Sequence, residues 1–167
     1  YKDGKLHRED GPTIVRYNGN KEWYKNGKLH REDGPAVENN TYKMWYKNGE
    51  CHREDGPALE YSNGTKAWYK NGLLHRDDSP AIEYSDGSKE WYKNGKLHRE
   101  EGPAFELQNG DKLWYSNGLL HREEGPAWET KTSNNKILKR WFFKGTEYPL
   151  INSDSEWNRF VKTLIFS

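Results

Sequence analysis

The sequence has 167 residues, of which 32% are hydrophobic, 14% aromatic and 32% charged. Its 27 Lys and Arg nearly balance its 26 Asp and Glu, so no global field points to duplex nucleic acid or to a membrane surface. The single cysteine excludes an intrachain disulfide, and no apolar run approaches the ~18 residues of a membrane-spanning helix, which predicts a soluble, intracellular protein without a transmembrane segment.

The chain repeats one phrase, close to WYKNGKLHREDGPA, along most of its length. Each of its six histidines is followed by an arginine, and successive histidines lie 23, 22, 23, 23 and 23 residues apart. A fixed period of this kind predicts a stacked array in which each unit buries its faces against its neighbours. The histidines that mark the period are His7, His30, His52, His75, His98 and His121.

Each unit carries two turn signals. One is the Asn-Gly dipeptide after Trp-Tyr-Lys or Trp-Tyr-Ser, and the other is an Asn-Gly or Asp-Gly dipeptide in the middle of the spacer. Between stretches of apolar and polar alternation, these dipeptides favour two-residue type I′ hairpins, because both residues tolerate positive φ. The sequence therefore predicts an all-β fold, an elongated antiparallel β-meander built from stacked 23-residue hairpin repeats. The turns are Asn26-Gly27, Asn48-Gly49, Asn71-Gly72, Asn94-Gly95 and Asn117-Gly118, and Asn18-Gly19, Asn63-Gly64, Asp86-Gly87 and Asn109-Gly110.

The third unit illustrates the register that these turns predict. Two-residue turns would set Leu59 and His75 opposite Trp68, which predicts that the histidine packs on the indole. Burial beside Trp would lower the histidine pKa and make the fold sensitive to acid, whereas a dominant indole contact would reverse the sign. Cys51 stands where other units have Leu, so we expect it to be a small core residue.

The array ends in a different pattern. Ser153 lies three residues before Glu156, as in a capping box, and apolar residues then recur on one face of a helix. We predict a repeat array over residues 1–150, with about six units, and a helix over residues 151–167 that caps the last repeat and covers its edge. A partner-binding helix would have the same apolar face. The face comprises Trp157, Phe160, Val161, Leu164 and Ile165.

The repeated phrase resembles the MORN repeat family, and more closely its divergent MORN-like variants. The resemblance covers about Tyr1 to Gly145 and is carried by the period, by Trp91 to Gly95 with His98, by Asp86 to Lys89, and by their counterparts. The chain departs from ordinary MORN units, which have His-Gly-x-Gly where this sequence has His-Arg-Glu-Asp-Gly-Pro-Ala. The resemblance implies a grooved β-sheet that serves as a scaffold or partner-binding module, with phospholipid binding in some members. Similar arrays in viruses, phages and bacteria suggest a viral or phage protein that acts on a host factor.

The repeated His-Arg-acid-acid stretch contains the residues of acid–base catalysis, yet we predict that the protein is not an enzyme. An enzyme builds one constellation from dissimilar residues, whereas this chain has six near-identical ones at its turns. Two strands per repeat would separate equivalent histidines by about 9.6 Å, and zinc ligands must come within roughly 4 Å of each other. We therefore predict neither a metal site nor a cofactor.

The aromatic and arginine residues of the repeats are the candidate partner-binding set, because interfaces are enriched in these residues. We expect a protein partner at an aromatic-lined groove, and end-to-end self-association is a further hypothesis. The alternative is a small anionic ligand, such as a nucleotide or a phospholipid headgroup, bound by aromatic and basic residues, with the candidate basic residues in a segment near the C-terminus. The first set is Trp23, Trp45, Trp68, Trp91, Trp114, Tyr24, Tyr46, Tyr69, Tyr92, Tyr115, Arg31, Arg53, Arg76 and Arg99, and the anion-binding set is Lys131, Lys136, Lys139, Arg140 and Lys144.

Overall fold

The structure, a computed structural model, describes residues 1–166. The chain divides into two compact units, Tyr1–Ser85 and the part that begins at Asp86. Both units consist of short antiparallel strands, and the second also contains a helix. The predicted all-β meander with a C-terminal α-helix is thus confirmed.

The first unit combines one antiparallel sheet with separate two-stranded hairpins. In the sheet, β1, β2, β5, β6, β9, β10 and β13 lie side by side in that order, whereas β3–β4, β7–β8 and β11–β12 each form a short hairpin. The strands are β1 (Ile14–Val15), β2 (Lys21–Glu22), β3 (Tyr24–Lys25), β4 (Lys28–Leu29), β5 (Val37–Glu38), β6 (Tyr42–Met44), β7 (Tyr46–Lys47), β8 (Glu50–Cys51), β9 (Leu59–Tyr61), β10 (Lys66–Ala67), β11 (Tyr69–Lys70), β12 (Leu73–Leu74) and β13 (Ile82–Glu83).

The second unit repeats this plan and ends in the helix α1. Its sheet has the order β14, β17, β18, β21 and β22, and its short hairpins are β15–β16, β19–β20 and β23–β24. Its elements are β14 (Lys89–Glu90), β15 (Tyr92–Lys93), β16 (Lys96–Leu97), β17 (Phe105–Glu106), β18 (Lys112–Leu113), β19 (Tyr115–Ser116), β20 (Leu119–Leu120), β21 (Trp128–Lys131), β22 (Ile137–Arg140), β23 (Phe142–Phe143), β24 (Thr146–Glu147) and α1 (Asp154–Phe166).

The two kinds of turn differ in geometry. In the short hairpins both residues of each Asn-Gly turn have positive φ, for example 53° at Asn26 and 79° at Gly27, which confirms the type I′ prediction. In the sheet turns that contain a glycine, only the glycine has positive φ, at 94° for Gly64, and the amide of Gly64 donates to the carbonyl of Tyr61. Such a turn is a three-residue loop ending in a left-handed glycine rather than a two-residue turn.

This extra loop residue makes the predicted sheet register wrong by one position. Ala67, rather than Trp68, lies opposite Leu59. The side chain of Asn63 accepts a hydrogen bond of 2.9 Å from the amide of Thr65, and this local bond supports the longer loop. The register of the short hairpin is as predicted, with Tyr69 opposite Leu74.

Each tryptophan of the phrase lies between a sheet strand and a short hairpin, so the chain changes layer there. The amide of Trp68 donates to the carbonyl of Ala81 in the next repeat, at 2.8 Å. That alanine is fully buried, and so are its equivalents in the other repeats, so these small side chains form part of the core. Cys51 is buried, as predicted, and burial raises the pKa of its thiol to about 12. The equivalent alanines are Ala36, Ala58, Ala104 and Ala127.

Helix α1 packs on the last short hairpin. Trp157 and Val161 are buried against Trp141 and Phe143, and the indole N–H of Trp157 donates to the carbonyl of Arg122 at 3.1 Å. At the helix start, the amide of Glu156 donates to Ser153 Oγ, so the predicted N-cap is present. Of the predicted apolar face, Ile165 is exposed.

The helix does not cover the last sheet strand, contrary to prediction. All four residues of β22 are exposed, including Ile137 and Leu138. The apolar contacts of α1 lie instead on Trp141 and Phe143 of the last short hairpin, and its contact with β22 is the ion pair between Asp154 and Lys139. Within residues 1–166, no helix has the length and apolar content needed to cross a membrane.

Candidate functional site

An arginine lies over the indole of each internal repeat. The guanidinium carbon is 3.9 to 4.2 Å from the ring centroid, within the range of a cation–π contact. The prediction that the preceding histidine packs on the indole is therefore wrong. The pairs are Arg31–Trp23, Arg53–Trp45, Arg76–Trp68, Arg99–Trp91 and Arg122–Trp114.

These arginines are also held by polar partners within their own loops. Arg53 donates from Nε to Asp55 at 3.0 Å and from Nη1 to the carbonyl of Pro57 and the carboxylate of Glu60, both at 3.2 Å. Its side chain is only 23% exposed. The guanidinium that we expected to meet a partner therefore serves mainly to fix the loop against the indole.

The histidines connect neighbouring repeats. Nδ1 of His30 accepts a hydrogen bond of 3.1 Å from the amide of Asn48, in the next short hairpin. Nε2 of His30 lies 3.3 Å from the carboxylate of Glu32. An Nδ1 that accepts from an amide requires the neutral tautomer with its proton on Nε2, which can donate to the carboxylate. His52, His98 and His121 bind the following hairpin in the same way.

The repeat tyrosines are half-buried parts of the packing. The hydroxyl of Tyr46 points at the sulfur of Met44 at 3.8 Å, and the hydroxyl of Tyr24 donates to Glu22 at 3.0 Å. Burial raises the pKa of Tyr46, and it does the same for Tyr69 and Tyr115. Their rings hold the short hairpins on the sheet, and only part of each is available to a partner.

Open crevices lie between successive loops of the first unit. One, of about 720 Å³, lies between residues 30–35 and residues 52–55 and is lined by Trp45 and Tyr46. Another, of about 760 Å³, is lined by Trp23 and lies between residues 8–12 and residues 30–33. A smaller one, of about 220 Å³, is lined by Trp68 and Tyr69. The repeat thus places an indole in a crevice at successive positions of this unit.

Carboxylates form the rims of these crevices. Glu32 and Glu54 are each 77% exposed, whereas Arg31 and Arg53 are 23% exposed. Hydrogen bonds from Lys25, and then from His30, lower the pKa of Glu32, so it stays ionised at neutral pH. These rim carboxylates are paired with lysines, Glu32 with Lys25 at 3.2 Å and Glu54 with Lys47 at 3.3 Å, so a ligand that enters meets charge of both signs. These acids are not among the predicted site residues, although an acid two residues after each histidine is a recurring signal in the sequence.

The basic segment is spread along the β21–β22 hairpin and the last short hairpin. Lys131 and Lys136 lie exposed beside the turn. Lys139 forms an ion pair of 3.1 Å with Asp154, and Lys144 lies 5.3 Å from the ring of Phe143. Arg140 makes a two-pronged contact with Glu147, at 2.6 and 2.7 Å. Three of the five candidate cations are thus already engaged within the chain.

Within the part of the chain described, residues 1–166, no group of three His, Cys, Asp or Glu side chains is arranged to hold a metal ion. A scan against models of protein families finds no match for this chain, and a search of curated proteins finds no sequence with significant similarity. The function is therefore inferred from the geometry of the repeats.

Proposed function

We propose that the chain is a non-enzymatic, MORN-like repeat scaffold that binds a protein partner at the crevices between its loops. The observation that carries the proposal is the crevice of about 720 Å³ at Trp45, with its indole inside and the exposed carboxylates of Glu32 and Glu54 at its rim. An aromatic surface beside charge is typical of protein interfaces.

The rim charge indicates which partner side chains would fit. The exposed carboxylates of Glu32 and Glu54 would attract Lys or Arg of the partner, in exchange for their contacts with Lys25 and Lys47. Because the crevice recurs at Trp23, a partner with several basic side chains could occupy two crevices at once. Linked contacts of this kind raise the overall affinity well above that of one crevice.

An anionic small ligand has less support. At the crevice rims the lysines are already paired with carboxylates, so they offer a nucleotide or a lipid headgroup no net positive charge. In the basic segment, Lys139 and Arg140 already pair with Asp154 and Glu147, which leaves Lys131 and Lys136 to supply the attraction. A thermal-shift screen with nucleotides and phosphoinositides at low and moderate salt tests this alternative, because a ligand that binds the folded state raises its stability.

The test of the proposal is affinity capture from the native source with the wild-type chain and a double variant, Glu32→Lys with Glu54→Lys. Both side chains are exposed, so the charge reversal should leave the Arg–Trp contacts in place. We expect a partner retained by the wild type to be lost by the double variant at moderate salt.

Glu50→Lys provides the matched control, because Glu50 is an exposed acid in a short hairpin and lies outside the lining of the crevices. Melting temperatures of all variants verify that they fold. Equal capture by the wild type, the double variant and the control would count against the crevices as the binding surface.

A further inference from the structure

Lys and Glu alternate across the sheet of each unit, one residue per strand, except in β1, where Val15 lies opposite Lys21. In the first unit Glu38 lies opposite both Lys21 and Lys43, and in the second Glu106 lies opposite both Lys89 and Lys112. Unlike charges in directly opposite positions stabilise strand pairing. The row defines a simple rule: the Lys two residues before each repeat tryptophan faces a Glu on the next strand.

The row ends at Lys139 in β22. Lys139 lies two residues before Trp141. It lies opposite Glu129 of the preceding strand β21, just as Lys112 lies opposite Glu106. On its other side the position of the next glutamate is open, since β22 is the last strand of this sheet among the residues described. Asp154 of α1 reaches Lys139 at 3.1 Å and supplies a carboxylate there.

The backbone amides at this edge point in the same direction, although the side chain of Trp141 is buried under α1. In five repeats the tryptophan amide donates to an alanine carbonyl of the next strand at 2.8 to 2.9 Å, as Trp114 does to Ala127. For the amide of Trp141, residues 1–166 provide no such partner. Because alternate amides of a strand point to the same side, those of Lys139 and Ile137 face the open edge as well.

We propose that β22 binds an extended segment of another protein as an added antiparallel strand, and that the segment reads Ala, then an apolar residue, then Glu. The alanine carbonyl would accept from Trp141, the apolar residue would lie opposite Arg140, and the Glu would lie opposite Lys139. This is the register that the sheet uses internally, where Val37 lies opposite Glu22 and Glu38 opposite Lys21. Addition of a strand to an exposed edge is a known mode of peptide recognition.

A second copy of this chain fits the rule less well. Its first sheet strand, β1, would offer Val15 at the position of the glutamate and Thr13 at that of the alanine. The ion pair between Lys139 and Asp154 does not close the edge, because both side chains are substantially exposed, and an exposed pair exchanges at little cost.

The experiment uses the chain and a fluorescein-labelled peptide that copies residues 102–108, Gly-Pro-Ala-Phe-Glu-Leu-Gln. Fluorescence anisotropy should show binding to the wild type, and Lys in place of the peptide Glu should weaken it by about fivefold. Lys139→Glu in the protein should reverse this preference. Ile137→Pro removes one amide from the open edge and should abolish binding with little change in melting temperature.

Absence of binding, or equal binding of both peptides to both proteins, would overturn the proposal. Concentration-dependent self-association that Ile137→Pro abolishes would also overturn it, because the occupant would then be a second copy. The double variant Glu32→Lys with Glu54→Lys should bind the peptide normally, so this edge and the crevices are tested independently.

Discussion

The guanidinium of Arg99 lies against Gly102, so close that a Cβ atom at residue 102 would come 3.1 Å from Arg99 Cζ. Gly102 also has a φ of +107°, a backbone conformation that is strained for any residue with a side chain. The equivalent Gly56 has the same close contact, at 3.0 Å from Arg53 Cζ, without positive φ. The fourth loop has Ser79 here, and its Arg76 still lies 3.9 Å from the ring of Trp68.

Gly102→Ala should therefore destabilise the protein by about 1–3 kcal/mol, because backbone strain adds to displacement of the arginine. Gly56→Ser is the matched control and should cost less than about 1 kcal/mol, since only a flexible side chain has to move. Urea denaturation of the two variants measures the difference. An equal decrease in the free energy of unfolding in both variants would show that the positive φ at residue 102 does not add to the destabilisation.

Arg53→Lys should destabilise the protein by about 1–2 kcal/mol. Lysine loses the planar stack on Trp45 and cannot reproduce the hydrogen bonds to Asp55, Pro57 and Glu60 together. The control is Arg8→Lys, because Arg8 bonds Asp10 and the carbonyl of Pro12 in the same way but is 52% exposed. We expect that change to cost about 0.5 kcal/mol, and equal thermal unfolding of both variants would contradict a role for the indole.

Acidification should weaken the fold at His121. Burial lowers its pKa below the ordinary 6.5, with a smaller contribution from Lys144 in the same direction and an opposing one from Glu123. The folded state therefore binds this proton less readily than the unfolded state. The resulting stability is fully present above pH 6.5 and is lost as the pH falls from 6.5 through the folded pKa.

Melting temperatures between pH 7.5 and pH 5 measure this effect against the variant His121→Asn. The side-chain oxygen of asparagine can still accept the hydrogen bond from the backbone amide of Lys144, which Nδ1 of His121 accepts at 3.2 Å. Asparagine, however, does not titrate. We expect a smaller loss of stability in the variant. The same pH slope in both proteins would place the acid sensitivity elsewhere.

Trp157→Ala should cost about 3–5 kcal/mol, the usual loss when a large buried aromatic residue is removed. Trp157 is fully buried, and its indole bonds the carbonyl of Arg122. Ile165→Ala, on the same helix but 47% exposed, is the control and should cost less than about 1 kcal/mol. Calorimetry of both variants provides the comparison, and a small loss for Trp157→Ala would mean that α1 is not integral to the fold.

The period, the short hairpins and the capping helix were predictable because each rests on a local signal. An Asn-Gly turn needs positive φ wherever it occurs, and the apolar spacing around Trp157 fits only a helix. The length of the sheet turns could not be predicted from the sequence, because Asn-Gly occurs both in the two-residue turns of the short hairpins and in the three-residue turns of the sheet. Register depends on that one residue, so the partner of Leu59 was predicted wrongly.

The contacts of the repeat His and Arg side chains were predicted wrongly for a different reason. Side-chain alternation holds only within a strand, and β4 ends at Leu29, before His30 and Arg31. Beyond that point the loop and its Gly-Pro set the directions of the side chains. The arginine reaches Trp23 and the histidine reaches the next hairpin, although their order in the sequence suggested the opposite assignment.

The two kinds of turn tolerate change very differently. In the short hairpins, the amides of Asn48 and Gly49 both donate to the preceding repeat, so an altered length there would break two bonds. The turn between β5 and β6 is one residue shorter than its counterparts, and the hairpin β21–β22 is longer, yet the sheet continues through both. We therefore expect a foreign peptide inserted between Asn134 and Asn135 to leave the fold intact. The same insertion at Asn48 would separate two neighbouring repeats, because both connecting hydrogen bonds would be lost.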